Sequence, residues 1–248
     1  MDLKDVQHNW NRFGETDPFW AVLAWPGTKD GRWDVDAFFA TGRDEIDAVM
    51  AYVDSLKADI ARNAALDFGC GVGRLSQALV EHFANVHGVD ISESMIDLAR
   101  QFNQYDARCQ YHLNARDDLT IFENDTFDFI YSNITLQHMP PRFSRRYIIE
   151  FLRILKPGGL AVFQVPDHPH SITQRLLQPI KPTALWRWYQ KIRYGQRPVM
   201  NMYGIPQSHV RQLIAAHLGR VLDVQPDENA DADWESYRYA IQKTSGEL

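Results

Sequence analysis

The chain has 248 residues, of which 45% are hydrophobic, and its formal net charge is −6 at pH 7. This size fits one α/β domain with an elaboration or two, and the negative charge argues against a protein that binds nucleic acid by general phosphate attraction. No apolar run is long enough to span a membrane and residues 1–5 lack a signal-peptide profile, so we expect a cytoplasmic protein. We expect Cys70 and Cys109 to be reduced thiols, and no Cys/His spacing predicts a metal site.

The N-terminal segment, residues 1–42, is rich in aromatic residues and turn formers. Its rings are those of Trp10, Phe13, Phe19, Trp20, Trp25, Trp33, Phe38 and Phe39. Such a segment either closes over a binding site as a lid or packs on the core as inert cover, since aromatic side chains favour burial in both cases. Thr41-Gly42-Arg43 then precedes a helical pattern, in which apolar residues recur from Ile46 to Leu56 and end near Lys57.

A glycine-rich stretch follows a short apolar run. Residues Ala64 to Phe68 have the length of a buried parallel strand. Gly69, Gly71 and Gly73 can adopt positive φ and let a ligand approach the backbone. From Leu75 the apolar residues repeat at helical spacing, so the loop leads into a helix N-terminus with free N–H donors. The spacing D-x-G-x-G-x-G differs from the dinucleotide pattern G-x-G-x-x-G, which disfavours a nicotinamide oxidoreductase.

An acid ends the next predicted strand, Val86 to Asp90, and Ser92 begins a helix with Met95 on its apolar side. An acidic side chain at this place can accept hydrogen bonds from two vicinal ribose hydroxyls. Asp90 could instead act as a favourable charge at the helix N-terminus. Both roles stay open from these residues alone.

Further strands complete the central part of the predicted sheet. We place them at Tyr111 to Asn114, Phe127 to Ser132 and Leu160 to Val165, with a helix over 143–155 that Lys156-Pro157-Gly158-Gly159 stops. Strands that alternate with helices predict a parallel, doubly wound sheet, which binds ligands at the carboxyl ends of its strands. The residues at these ends are Asp67 to Arg74, Asp90 and Ile91, Asn114 to Asp117, Ser132 to His138, and Pro166 to His168.

The alternation breaks after residue 167, where a basic segment begins. Residues 168–222 contain eight Lys or Arg and no Asp or Glu, and they include the aromatic run Trp186 to Tyr194. A helix over 208–218 and strands over 220–224 and 237–241 predict a closing antiparallel hairpin. We therefore expect a single domain over 1–248 made of four parts: an arm 1–42, a cofactor-binding core 43–167, a basic helical lid insert 168–204, and closing elements 205–248.

Four motifs, taken in order, resemble those of the class I S-adenosylmethionine-dependent methyltransferases, particularly the small-molecule type. They are Leu66-Asp67-Phe68-Gly69-Cys70-Gly71-Val72-Gly73, Gly88-Val89-Asp90-Ile91-Ser92, Phe127-Asp128-Phe129-Ile130-Tyr131-Ser132 and Leu155-Lys156-Pro157-Gly158-Gly159. The resemblance covers about residues 60–165. It implies an α/β, Rossmann-like, seven-stranded sheet with an antiparallel last strand and S-adenosylmethionine as the cofactor.

The resemblance also implies which residues contact the cofactor. Its methionine part would lie against Asp67, Gly69, Cys70, Gly71 and Gly73. Asp90 would hold the ribose hydroxyls and Ile91 would pack on adenine. The loop Asn114-Ala115-Arg116 would lie at the adenine amine, although Asn114 stands where the family often has Asp. Met95, Ser132 and Asn133 complete the expected contacts.

A cation and a base are also expected at the site. Arg43 is the candidate for the cofactor carboxylate, because a guanidinium matches a carboxylate bidentately; a solvated residue at a helix start is the alternative. His138 is the candidate general base, with Asp167 and His168 placed to hold or assist it. Alternatively, His138 is a buried histidine that pins its loop, and Asp167 and His168 form an exposed turn.

The basic insert bears on the acceptor. A positive, aromatic lid predicts a small anionic acceptor, such as a carboxylated or phosphorylated metabolite or sugar. The same segment could contact an anionic membrane surface and reach a lipid-linked acceptor, or form a solvated helix pair that balances the acidic remainder of the chain. We expect methyl transfer to oxygen. The alternatives are an N-methyltransferase and a catalytically silent cofactor-binding protein that uses the insert as an interaction surface.

Overall fold

The computed structural model describes residues 2–178, 181, 183, 186, 188–189, 192–193, 195 and 198–245. Within these residues, seven strands form one sheet in the order β3-β2-β1-β4-β5-β7-β6. The strands are β1 Ala64–Phe68, β2 Asn85–Asp90, β3 Cys109–Leu113, β4 Phe127–Ser132, β5 Leu155–Pro169, β6 Gly219–Pro226 and β7 Trp234–Lys243. The helices are α1 Leu3–Thr16, α2 Pro18–Val22, α3 Val35–Ser55, α4 Arg74–Leu79, α5 Glu93–Phe102, α6 Pro141–Ile154, α7 Ile172–Leu177 and α8 Gln207–Ala215.

Strands β1 to β5 pair in parallel, and β7 runs antiparallel between β5 and β6. The predicted doubly wound, Rossmann-like sheet with an antiparallel last strand is therefore confirmed. The predicted bounds of β1 and β4 match the structure residue for residue, because both are nearly continuous buried runs. β5 and β7 extend beyond their predicted ends, since they pair with each other as far as Pro169 and Trp234.

Alternate side chains of the strands pack against helices on the two faces of the sheet. Leu66 and Ile130 pack with residues of α6 and α8, whereas Ala65 and Phe129 pack with residues of α3, α4 and α5. This alternation follows from the two-residue period of a strand. Because both faces are covered, a ligand can reach the sheet only at the strand ends.

Helix α3 corrects one prediction. The sequence places Thr41-Gly42-Arg43 before a helix, but α3 begins at Val35 and Asp34 caps it by accepting the Ala37 N–H at 2.8 Å. Gly42 is therefore inside a helix, where a Cβ would lie 2.4 Å from the carbonyl oxygen of Arg74. The glycine permits close packing of α3 on α4 and does not break the helix. The boundary expected between 42 and 43 falls inside α3, and the division of the chain into four parts stays a prediction.

The Lys156-Pro157-Gly158-Gly159 motif has a different place from the one predicted. Helix α6 ends at Ile154, and the four motif residues belong to β5. Lys156 Nζ lies 2.8 Å from Asp128 Oδ1, while Asp128 Oδ2 accepts the N–H groups of Asn63 and Ala64 at 2.9 and 2.8 Å. Two of the recognised motifs thus tie together the starts of β1, β4 and β5.

The N-terminal segment is helical and packs beside the glycine loop. Phe13 of α1, Ala21 of α2 and Phe38 of α3 form a buried cluster with Val72 and Met95. Most aromatic residues of this segment pack against one another or against the loop that follows β1, whereas Trp25 is half-exposed. The segment therefore forms one wall of the space beyond the strand ends.

Candidate functional site

A mostly apolar cleft of about 880 Å³ lies at the carboxyl ends of β1, β2 and β4. Helices α1 and α2 contribute Leu3, Trp10, Ala21 and Val22 to its wall, so the N-terminal segment takes part in the site rather than covering remote surface. The other lining residues are Phe68, Gly69, Cys70, Gly71, Arg74, Leu75, Val89, Asp90, Ile91, Met95, Asn114, Asn133, Ile134, Thr135, Met139 and Tyr147.

The glycine loop between β1 and α4 forms the floor of the cleft. Gly69, Gly71 and Gly73 have φ angles of 81°, 52° and 86°, a region that favours glycine. A Cβ at Gly71 would lie 2.6 Å from Val22 Cγ2, and a Cβ at Gly69 would lie 2.2 Å from the Thr135 side chain. Side chains at these positions would therefore fill the space between the loop and the elements that face it.

The Asp90 carboxylate lies on the wall at the end of β2. Its two oxygens accept the backbone N–H groups of Gly71 and Ser92 at 2.9 and 2.8 Å. Burial raises the pKa of Asp90, and these hydrogen bonds act in the opposite direction. A carboxylate has about four acceptor positions, so the held group keeps capacity for ligand hydroxyls. The two N–H contacts fix the orientation in which it meets a ligand.

A buried polar cluster lies beside the loop. Glu45 Oε2 lies 2.7 Å from Arg74 Nη2, and Glu45 Oε1 accepts from the Tyr131 hydroxyl at 2.8 Å and from Asn133 Nδ2 at 2.7 Å. Arg74 is only 3% exposed. Arg74 Nε and Asn133 Oδ1 are buried and find no partner among the described residues. Because buried polar atoms are normally paired, this donor and this acceptor on a cleft wall are suited to a polar ligand.

Half of the residues expected at the site line the cleft. Those that do are Gly69, Cys70, Gly71, Asp90, Ile91, Met95, Asn114 and Asn133. Those outside its lining are Arg43, Asp67, Gly73, Ala115, Arg116, Ser132, His138 and Asp167. The roles assigned to all of these residues remain predictions, and the geometry shows what each one does within the fold.

Asp67 lies beneath the loop. It is 1% exposed and its Oδ2 accepts from the Ser76 hydroxyl at 2.6 Å, which ties β1 to α4. Burial raises its pKa to about 7. Gly73 caps α4 with its left-handed conformation, and a Cβ there would lie 2.3 Å from the Tyr111 hydroxyl. Ser132 donates to the Phe68 carbonyl at 3.0 Å. These three residues act on the shape of the loop and its strands.

The loop after β3 is held by its own side chains. Asn114 Nδ2 donates to the Asp118 carbonyl at 2.7 Å. The Tyr147 hydroxyl donates to the Arg116 carbonyl. The Arg116 guanidinium points outward to Asp118, with Nε 3.0 Å from Oδ1. The side-chain amide of Asn114 is thus engaged in the loop, although the residue still contributes to the cleft wall.

His138 is one layer behind the cleft. Its Nδ1 donates to the Asn201 carbonyl at 3.0 Å, its Nε2 lies 3.2 Å from Gln137 Nε2, and its ring packs on Trp10 with centroids 5.2 Å apart. Burial lowers its pKa to about 4, so the imidazole is neutral at pH 7. Tyr203 N also donates to the Gln137 carbonyl at 2.8 Å. In this structure these contacts hold the loop around His138 in place.

Asp167 and His168 form a polar group apart from His138. His168 Nδ1 lies 2.8 Å from Asp167 Oδ1, and His168 Nε2 lies 3.1 Å from Glu235 Oε2. Asp167 Oδ2 also accepts the Gln207 N–H at 3.0 Å, at the start of α8. Neither residue bonds to His138 in the described part of the chain, so their assistance to a base has no contact to support it.

Arg43 belongs to a second cavity. Arg43 is exposed on α3. Arg74 lines both this cavity and the cleft and so lies between the two. The cation on the cleft wall is Arg74. It follows the last glycine of the loop directly, and that adjacency was the available sequence signal.

Other wall residues carried no sequence signal. Met139 and Tyr147 read as ordinary loop and core residues, and Glu45, which binds Arg74 from behind the wall, reads as an exposed helix residue. Trp10 and Val22 belong to a segment whose course the sequence left open. Their approach to the cleft depends on how α1, α2 and α3 pack on the sheet.

The basic segment is described in part. Arg175 Nε donates to the Pro169 carbonyl at 2.7 Å, and Lys181 Nζ lies 5.7 Å from the centre of the Trp234 ring. Ile172 and Leu176 of α7 are 74% and 72% exposed. Among the basic residues that define the predicted insert, Arg187, Lys191 and Arg197 lie outside the described residues.

No helix in the described ranges is long and apolar enough to cross a membrane. The same residues contain no cluster of three or more His, Cys, Asp or Glu side chains suited to a metal ion.

Comparison with known proteins places the cleft in context. Residues 65–159 match a family model described as a methyltransferase domain. The chain is 40% identical over 101 residues to a ubiquinone biosynthesis O-methyltransferase of Coxiella burnetii, across 40% of this chain and 41% of that protein. It is 32% identical over 142 residues to a trans-aconitate 2-methyltransferase of Streptomyces avermitilis, across 56% of this chain and 51% of that protein. The chain thus spans about half the length of these relatives or less.

A solved structure has the same fold. Magnesium protoporphyrin IX methyltransferase from Synechocystis PCC 6803, with bound SAH, superposes with a TM-score of 0.64 at 18% identity, over 98% of this chain and 100% of that one. At this identity the likeness concerns the fold alone. It includes the elements that build the cleft.

Proposed function

Because this chain belongs to the class I S-adenosylmethionine-dependent methyltransferases, we propose that it transfers a methyl group from S-adenosylmethionine to an oxygen atom of a small anionic metabolite or sugar. The observation that carries the proposal is the cleft itself, in which the glycine loop and the oriented Asp90 carboxylate meet at the strand ends. Such an arrangement suits a nucleoside with a polar, charged tail.

The residues of the cleft fit that cofactor. Asp90 has acceptor capacity for the two ribose hydroxyls, and Ile91 beside it offers an apolar surface for adenine. At the other end, the unpartnered Asn133 Oδ1 suits the cofactor ammonium and the Arg74 guanidinium suits its carboxylate. We propose Arg74 for the role that the sequence assigned to Arg43. Gly69 and Gly71 leave room for the chain between the two ends.

The bound cofactor supplies an electrophilic methyl group on a sulfonium. The protein's part is to orient the acceptor atom in line with that methyl and to exclude water, which can contribute much of the rate. Trp10, Ile134 and Met139 form apolar wall suited to both tasks. A base is needed only if the acceptor loses a proton.

His138 remains the proposed base for a hydroxyl acceptor. Its Nδ1 carries the proton shared with Asn201, so Nε2 is the nitrogen that could take a proton. Reaching an acceptor requires Trp10 and Gln137 to move, because they cover that nitrogen and the ring. Asp167, which has no contact with His138 among the described residues, is proposed only to fix the start of α8 through the Gln207 N–H. Turnover of His138→Ala tests the base: unchanged turnover at full cofactor occupancy removes the assignment.

Two observations support an anionic acceptor. Residues 168–222 carry eight Lys or Arg and no acid, and this segment begins at the end of β5, the strand next to β4. The relative from Streptomyces avermitilis is named for trans-aconitate, which is a carboxylate. The same positive charge would also suit peripheral contact with an anionic membrane, where the acceptor would be lipid-linked. We also propose a cytoplasmic location and one functional domain over residues 1–248.

A methyl-transfer screen with labelled S-adenosylmethionine tests the proposal. The panel pairs carboxylated metabolites and sugar phosphates with their neutral and amine analogues, and Asp90→Ala serves as the inactive control. We expect label on an anionic hydroxyl or carboxylate compound and none with Asp90→Ala. Label on amines alone would mean that the acceptor atom is nitrogen and not oxygen. Cofactor binding without label on any acceptor would favour the catalytically silent cofactor-binding protein.

A further inference from the structure

A second cavity of about 700 Å³ lies between α3, α4 and the C-terminal end of α5. Arg74 forms part of the wall between this cavity and the cofactor cleft, since it lines both. The proposed methyl transfer uses neither its space nor its other lining residues. The residues that matter for its chemistry are Phe39, Arg43, Gln77, Phe102 and Tyr105, with Asp36 as an acid on the same wall.

A buried hydrogen-bond donor of this cavity lacks a partner. Gln77 is only 6% exposed, and its Nε2 finds no acceptor among the described residues. The amide orientation is set by its other atom, because Gln77 Oε1 accepts the Gln104 N–H at 3.2 Å. The cavity therefore offers a buried N–H donor that suits a hydrogen-bond acceptor of a ligand. Native proteins rarely bury such a donor unpaired.

A cation lies on the same wall. Arg43 is exposed, and it forms no hydrogen bond or ion pair with the described residues. Its positive charge acts on the Tyr105 hydroxyl across the cavity wall. Arg74, the other cation on this wall, pairs with Glu45 at 2.7 Å and is assigned above to the cofactor carboxylate. Arg43, Gln77 and Asp36 all line the cavity, so an added anion would meet a guanidinium and an amide donor as well as one carboxylate.

The remaining wall is aromatic. The rings of Phe39 and Phe102 lie 5.7 Å apart and are tilted by 53°. Tyr105 is held by its hydroxyl, which donates to Glu81 at 2.7 Å. A planar ring can pack against such faces and edges, and an aliphatic ligand of the same charge gains less from them.

We propose that this cavity binds a planar aromatic carboxylate, with the carboxylate at Arg43 and Gln77 Nε2 and the ring against Phe39 and Phe102. The cation and the donor select an anionic acceptor group, and the aromatic walls select the ring. The site is separate from the cofactor cleft, although Arg74 joins the two.

Benzoate is the probe, measured by saturation-transfer NMR and chemical-shift titration on the full chain. Cyclohexanecarboxylate tests the ring and benzamide tests the charge. We expect benzoate to bind at least about fivefold more tightly than either analogue. Equal binding of all three compounds would overturn the proposal.

Two variants place the probe. Arg43→Gln removes the cation at an exposed position, and Gln77→Glu keeps the acceptor for Gln104 while replacing the donor by a carboxylate. Each should weaken benzoate by about tenfold, whereas Arg145→Gln, an equal charge change on exposed surface of α6, should leave it unchanged. Unaltered benzoate binding in Arg43→Gln would overturn the proposal even if Gln77→Glu fails to fold.

Competition with S-adenosylhomocysteine separates this site from the cleft. We expect saturating S-adenosylhomocysteine to leave benzoate bound, and Arg43→Gln to keep its affinity for S-adenosylhomocysteine. Displacement of benzoate, or loss of S-adenosylhomocysteine affinity in Arg43→Gln, would place the probe or the arginine in the cofactor cleft and refute the second site. Failure of the wild type to bind S-adenosylhomocysteine would instead contradict the proposed function alone.

Discussion

Glu45 holds together the polar cluster beside the glycine loop, and Glu45→Gln tests that claim. The substitution keeps the shape of the side chain but removes the charge opposite Arg74, which is 3% exposed. It also turns an amide N–H towards groups that now donate to Glu45: Arg74 at one oxygen, or Tyr131 and Asn133 together at the other. Breaking a buried ion pair from one side costs about 3 kcal/mol, because the remaining charge stays buried without a counter-ion.

That loss has a measurable size. For a chain of this length it lowers the midpoint of thermal unfolding by about 6–12 °C. Urea unfolding followed by circular dichroism should show the same change as a lower midpoint with an unaltered slope. We also expect about tenfold weaker binding of S-adenosylhomocysteine, since Glu45 orients both Arg74 and Asn133 at the cleft.

A matched control exists on the same helix. Asp54 pairs with Arg62 at 2.9 Å, a distance close to that of Glu45 and Arg74, but the Asp54 side chain is 68% exposed. Asp54→Asn should cost no more than about 0.5 kcal/mol. Equal losses in the two variants would refute the reasoning, because burial would then not decide the strength of the pair.

Further predictions concern the glycine loop and the response to pH. Gly71→Ala places a Cβ 2.6 Å from Val22 Cγ2, and calorimetry should show that it abolishes S-adenosylhomocysteine binding. Gly158→Ala is also at positive φ but has nothing within 4 Å of its Cβ, so it should retain binding. Loss of binding in both variants would mean that backbone strain alone causes it. Burial and the neighbouring His112 lower the pKa of His87 to about 4. Between pH 6.5 and 4 the folded chain therefore binds fewer protons than the unfolded chain, so stability falls as the pH is lowered through that window. In urea titrations His87→Phe should make this fall in stability shallower. Burial raises the pKa of Asp67 to about 7, so its effect on stability has the opposite sign: the stability it contributes is lost as the pH rises from 3.8 to 7. Over that range the stability of Asp67→Asn should rise relative to that of the wild type. Equal pH dependence of stability in the two proteins would contradict the raised pKa.

Local patterns predicted the sheet well. Strands β1 and β4 have the predicted bounds because each is a short apolar run whose burial on both faces is visible in the residues themselves. The sequence also placed the acid at the end of β2 close to the glycines after β1, because parallel strands have their carboxyl ends at one edge of the sheet.

Contacts between distant segments were beyond prediction. Arg74 meets Glu45 across 29 positions of sequence, and only the packing of α3 on α4 brings them together. Gly42 was expected to precede the helix, yet it lies inside α3 and its lack of a Cβ serves that same packing. His138 illustrates the limit for chemistry: its residue type fits a base, while its contacts with Asn201, Gln137 and Trp10 depend on the course of two other segments.

Isothermal titration of the full chain with S-adenosylmethionine tests the central claim most directly. We predict binding to one site in the wild type and at least about tenfold weaker binding in Asp90→Ala, which loses the acceptor for the ribose hydroxyls. Asp97→Ala, at a 68% exposed position on the helix that follows, should match the wild type. No binding by the folded wild type, or undiminished binding by Asp90→Ala, would contradict the account.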